Sequence, residues 1–125
     1  MMKRPLFAVL TLLTLNACMA APTLEERLAG KNDADRKQEL YYACIQRAHY
    51  KIPGGHSGEY TGHESRMREL CDAMRDAPAG NQAELAKQCQ REIQGGLIKD
   101  NADNMRHFDE VRKICQEMLG KKIGP

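Results

Sequence analysis

The chain has 125 residues, and its 19 Lys and Arg against 17 Asp and Glu give a formal net charge of +2. Lys3 and Arg4 carry that excess; beyond them 17 basic residues face 17 acidic ones, so no positive surplus remains to hold a phosphate backbone, and no nucleic-acid partner is expected. From Cys18 onward Leu, Ile, Val and Phe together number only 15 of 108 residues, below the roughly 20% at which disorder becomes a serious reading, so an ordered fold needs reinforcement other than apolar burial.

The N-terminus reads as a targeting segment. Lys3 and Arg4 precede an apolar run from Leu6 to Leu15, interrupted by Thr11 and Thr14 and too short for a bilayer span, which takes about 20 residues. Leu15-Asn16-Ala17-Cys18 follows and resembles the lipobox of bacterial lipoproteins, although Asn16 is atypical of that motif. The resemblance implies a signal peptide over 1–17, a lipid on Cys18 and, with Met19 next, sorting to the outer membrane facing the periplasm. Ordinary signal cleavage after Ala20, releasing a soluble periplasmic protein, is the alternative.

Residues 18–32 are expected to form a tether and a short helix. Thr23-x-x-Glu26 is a capping box, and the helix from Leu24 stops at Gly30. A second helix is expected from Asp33 to Lys51, ended by Pro53-Gly54-Gly55. A third runs from about Gly62 to Asp76, with Thr61-x-x-Glu64 as its capping box. A fourth covers about Gln82 to Gln94, opened by Asn81-x-x-Glu84 and closed by Gly95-Gly96. The last covers about Asn104 to Leu119, with Asp103 as its cap, and leaves a loose tail over 121–125. Strand signals are nearly absent, with one Val after the leader.

A duplication runs through these elements. His63, Arg68, Leu70, Cys71 and Met74 recur as His107, Arg112, Ile114, Cys115 and Met118, and Glu39-Leu40-x3-Cys44 recurs as Glu84-Leu85-x3-Cys89. A period of this size marks a repeated supersecondary unit. His63, Met67, Leu70, Cys71 and Met74 follow the i, i+4, i+7, i+8, i+11 spacing of an inward helix face, and His107, Val111, Ile114, Cys115 and Met118 match it. Leu40, Cys44 and Ala48 form another stripe, as do Leu85, Cys89 and Ile93.

Five cysteines are an odd number in an exported chain, and assigning Cys18 to the leader or a lipid leaves four for two disulfides. If each copy is a self-contained hairpin, Cys44 pairs with Cys71 and Cys89 with Cys115; a disulfide between the copies is the alternative. The fold expected is all-α: two tandem disulfide-stapled αα-hairpins at 33–78 and 79–120, four main helices plus the short N-terminal one.

Chemistry is harder to find. There is no G-x-S-x-G, H-E-x-x-H or C-x-x-C, so no catalytic residue, cofactor or metal is assigned. His63 and His107 near Met67, Met74, Met105 and Met118 permit a periplasmic copper- or zinc-binding reading. Methionine at helical spacing is more often core filler, and a histidine in a first turn more often a partly exposed helix start. The copies differ most between Tyr50 and His63, where Tyr50, His56, Tyr60 and His63 combine contact-forming side chains with Gly and Pro turns. These four residues are the expected partner-binding surface. The leading expectation is a non-enzymatic envelope lipoprotein, an accessory, inhibitor or immunity-type protein that binds another envelope protein. A structural lipoprotein without a discrete ligand is a further alternative.

Overall fold

The computed structural model describes residues 21–51, 57–77, 79–96 and 101–124, with the backbone alone at 57–61 and 79. The leader, Cys18, His56 and the side chain of Tyr60 lie outside the described residues. Thr23 caps the first helix, its hydroxyl accepting from the Glu26 amide at 3.2 Å as the capping box requires. Helix α1 follows over Leu24–Leu28 and buries both of its leucines. Gly30, at φ +72°, turns the chain. Asn32 then accepts from the Asp35 amide at 2.9 Å and opens α2 over Asp33–Ala48.

Three further helices complete the fold: α3 over Ser57–Asp76, α4 over Gln82–Gly96 and α5 over Ala102–Leu119, with a 3-10 turn at Ala79–Asn81 leading into α4. Several ends differ from the sequence expectation. Helix α2 stops three residues before Lys51, where the Tyr50 amide folds back to the Arg47 carbonyl at 3.1 Å. Helix α3 starts five residues before Gly62, so Thr61 lies inside it rather than capping it. Helix α4 continues through Gly95 to Gly96. The cap of α5 is Asn101, whose Oδ1 accepts from the Asn104 amide at 2.9 Å; Asp103 sits in the first turn. The tail is not loose along its length. Gly120, at φ +62°, closes α5 and turns the chain so that Ile123 is buried, its amide donating to Gln116 Oε1 at 3.1 Å.

The four long helices form an antiparallel ring. Helix α2 meets α3 with Tyr41 opposite Asp72 and His49 opposite Glu64. Helix α5 meets α2 with Glu117 opposite Arg36 and His107 opposite Tyr50. Disulfides join Cys44 to Cys71 and Cys89 to Cys115, with Cα–Cα distances of 5.8 and 6.7 Å. The protein is all-α, and each disulfide staples one hairpin: α2–α3 (hairpin 1) and α4–α5 (hairpin 2). The inward stripes largely follow the periodicity: Leu40, Cys44, Ala48, Met67, Leu70, Cys71, Met74, Leu85, Cys89, Ile93, Val111, Ile114 and Cys115 are all buried, whereas Met118 is only partly buried and Leu119 beside it fills the core. Among the described residues no helix is long and apolar enough to cross a membrane.

Candidate functional site

Among the described residues the duplicated histidines and Asn104 are the exceptions to apolar burial in this sparse core. His63 and His107 are each 1% exposed, rather than the partly exposed helix-start residues their first-turn positions suggest. Each stands on the inward stripe of its helix, four residues before Met67 or Val111. The antiparallel ring brings α3 and α5 to the same end of the bundle, and there the two imidazoles meet, Nε2 to Nε2, at 3.0 Å. Their rings cross at 80° with centroids 5.2 Å apart, and Phe108 contacts both edge to face. Tyr50 lies flat on His107, centroids 4.0 Å apart and 15° between planes.

Glu92 on α4 anchors the pair. Its Oε1 lies 2.7 Å from His63 Nδ1, and its Oε2 accepts from Arg66 Nε at 2.7 Å. Burial pushes the Glu92 carboxyl up, but the hydrogen bonds from His63 and Arg66 outweigh it and hold the group below the usual carboxylate range. The same bond raises the Arg66 guanidinium. For His107 burial dominates, and the neighbouring His63 and Arg47 add to it, pushing its pKa down to about 3.

These facts select a proton arrangement. Ionised Glu92 takes the Nδ1–H of His63, leaving the His63 Nε2 lone pair to accept from His107 Nε2–H. His107 Nδ1 is then a bare lone pair, consistent with its having no hydrogen-bond partner among the described residues. An unpaired acceptor there replaces the orphaned buried N–H that protonation would create.

The repeat explains the asymmetry. The offset that carries Cys44 onto Cys89 carries Arg47 onto Glu92, and the offset that carries His63 onto His107 carries Arg66 onto Glu110. Both charged positions are therefore reversed between copies. His63 receives a carboxylate where His107 receives a guanidinium. Arg47 and Glu110 line an open groove of about 570 Å³ together with Leu24, Arg27, Arg106 and Lys113.

Of the four residues expected to form a partner surface, the structure brings together Tyr50 and His63 through His107, with His63 inside the bundle and Tyr50 half-buried. His63 is thus a core residue, because its stripe continues to the end of the interior. Sequence reasoning missed Glu92 and Arg66 as its partners. The signal available was the charge reversal at equivalent repeat positions. Elsewhere, Tyr41, Tyr42 and Arg75 cluster on the outside of hairpin 1. Tyr42 is 53% exposed, Tyr41 donates to Asp72 Oδ1 at 2.6 Å, and the Arg75 guanidinium lies 4.3 Å over the Tyr41 ring.

Compared with protein-family models, curated proteins and solved structures, the chain matches none. The described residues contain no group of three His, Cys, Asp or Glu placed to hold a metal ion.

Proposed function

We propose that the protein is a small lipoprotein of the bacterial cell envelope, tethered through Cys18, that binds another envelope protein without catalysing a reaction. The observation that carries the non-enzymatic reading is the closure of the histidine cluster. A general acid or base must come within hydrogen-bond reach of its substrate, and both imidazoles are 1% exposed and spent on each other. The disulfide-stapled hairpins supply a stiff frame, which lowers the ordering cost of association.

The partner-contacting residues in this reading are His56, just before α3 in sequence, Tyr60 in the first turn of α3, and Tyr42 on the outside of α2. Tyrosine and arginine are the residue types that dominate interface energetics, and Tyr42 sits beside Tyr41 and Arg75. Tyr50, half-buried, remains a contact residue in this reading, and His63 supports the surface from within.

The test is crosslinking in intact cells followed by identification of the joined peptides. Tyr42→Ala and the pair His56→Ala and Tyr60→Ala are expected to weaken the crosslink while leaving the melting temperature unchanged. Undiminished crosslinking in both variants defeats the surface assignment. Mass spectrometry of the N-terminal peptide tests the anchor: a diacylated Cys18 is expected, and an unmodified start at Ala21 excludes it.

A further inference from the structure

Every polar bond of the histidine cluster crosses between the hairpins. His63 and Arg66 belong to hairpin 1, and Glu92 and His107 to hairpin 2. Tyr50, stacked on His107, makes the same crossing. The two disulfides, by contrast, each lie within one hairpin, so no described covalent crosslink joins the pair besides the main chain. The main chain itself passes between them at the opposite end of the bundle, where α3 ends at Asp76 and the 3-10 turn at Ala79–Asn81 enters α4. Two internally locked hairpins are therefore connected at one end and held by a polar cluster at the other.

We propose that the His63–His107 pair is an acid-labile clasp, whose protonation releases the two disulfide-locked hairpins from one another at the end remote from their connection. The clasp requires a neutral His107. A second proton would go to Nδ1, where no described acceptor meets it. It would also add a buried positive charge near Arg47. The titratable and charged groups that bear on His107 are His63 from α3, Arg47 from α2 and Tyr50 just beyond the end of α2, while Glu92 from α4 and Arg66 from α3 meet the pair through His63. Of these Glu92 alone is acidic, and it is already engaged by His63 and Arg66. The exposed His49–Glu64 pair lies within hairpin 1 and joins nothing across the interface.

The sign follows from linkage. The closed clasp holds His107 at about 3, whereas a hydrated imidazole titrates near 6.5, so the open form binds more protons between those limits and acid favours opening. Between pH 7 and pH 5 the opening constant rises about 25-fold on these values.

The methionines report this opening, because peroxide oxidises a thioether only where solvent reaches it. Met67 is fully buried one turn from His63, Met74 is buried near the connected end of α3, and Met105 is 45% exposed and serves as the internal reference. Site-resolved oxidation of the disulfide-intact protein is compared at pH 7 and pH 5. Relative to Met105, Met67 is expected to accelerate about 25-fold, with Met74 lagging behind it. A Met67 rate that stays constant overturns the clasp. So does equal acceleration of Met67 and Met74, which is unfolding of the whole bundle. His107→Phe keeps a flat ring against Tyr50 without a titrating group and should abolish the acceleration; its persistence rejects the assignment to His107. Ring NMR of the unaltered protein checks the same point without a variant. No titration of folded His107 is expected down to pH 5, and a folded-state midpoint near 6.5 is incompatible with the clasp.

Discussion

His63 and His107, separated by 44 residues and equivalent in the two copies of the repeat, share a hydrogen bond at the end of the bundle interior. A duplicated hairpin that pairs with its own copy places equivalent residues opposite one another. Two identical imidazoles facing each other must differ in role, since one has to donate and the other accept. The charge reversal between copies resolves that conflict. Glu92 orders the proton on His63, and Arg47, at the matching position of the other copy, adds to the burial that keeps His107 neutral.

Arg47→Glu should therefore make the two environments alike. A carboxylate in place of the guanidinium raises the pH at which His107 titrates, by about 1 to 3 pH units for a nearby charge of opposite sign. Ring-proton NMR across pH 2 to 7 measures this midpoint. A midpoint unmoved by the substitution would show that Arg47 exerts no field at His107.

Acid should weaken the fold well above the range in which carboxylates titrate. His107 has a depressed folded value, so its neutral form contributes stability that is fully present above about pH 6.5 and is lost progressively as pH falls toward 3. On the single-site relation, stability at pH 5 is about 2 kcal/mol below that at pH 7. Glu92 is also depressed, but its contribution is lost only as pH falls below the ordinary carboxylate value, so it leaves this window to the histidine. Urea denaturation at the two pH values, with and without His107→Phe, separates them.

The inward stripes and disulfide pairing were legible in the sequence because helical periodicity alone puts Leu40, Cys44 and Ala48 on one face, and the duplication then joins cysteines within a copy. The ends were less legible. Thr61-x-x-Glu64 carries a start signal, yet α3 begins at Ser57, because a local capping pattern does not set where a helix supported by tertiary packing begins. Asp103 and Asn101 are both good caps in isolation; the Oδ1 bond of Asn101 to the Asn104 amide decides between them. Ile123 reaches the core only because Gly120 reverses the chain. The histidine pair was hidden for a different reason. Periodicity points each ring inward, but that the rings meet depends on how one hairpin docks on the other, which no local pattern encodes.

Adjacent glycines at the end of α4 should respond oppositely to alanine. A Cβ on Gly96 would collide with the Phe108 ring, which itself packs on both histidines, so Gly96→Ala is expected to cost about 1 to 3 kcal/mol through overpacking. A Cβ on Gly95 meets nothing, and alanine there should stabilise by about 0.5 to 1 kcal/mol through helix propensity. Urea midpoints of the two single variants supply the comparison. Equal destabilisation would contradict the docking of Phe108 against Gly96.

Removing either disulfide should cost nearly the same, because the bridges close loops of almost equal length, with sequence separations of 27 and 26. The chain-entropy relation gives about 3.5 kcal/mol for each. A chain with so few large aliphatic residues has little to lose, since marginal domains hold only about 5 to 15 kcal/mol in all. The double substitutions Cys44→Ala with Cys71→Ala, and Cys89→Ala with Cys115→Ala, remove one bridge at a time without leaving a free thiol. Both pairs of half-cystines are fully buried, so each change also loses a sulfur contact in the core, and the measured cost should reach or exceed the entropic figure. If one bridge proves dispensable, its hairpin is held by its neighbours rather than by its own staple. Loss of hairpin 2's bridge should further raise peroxide access to Met67 at neutral pH, because Cys115 lies on the same inward stripe of α5 as His107.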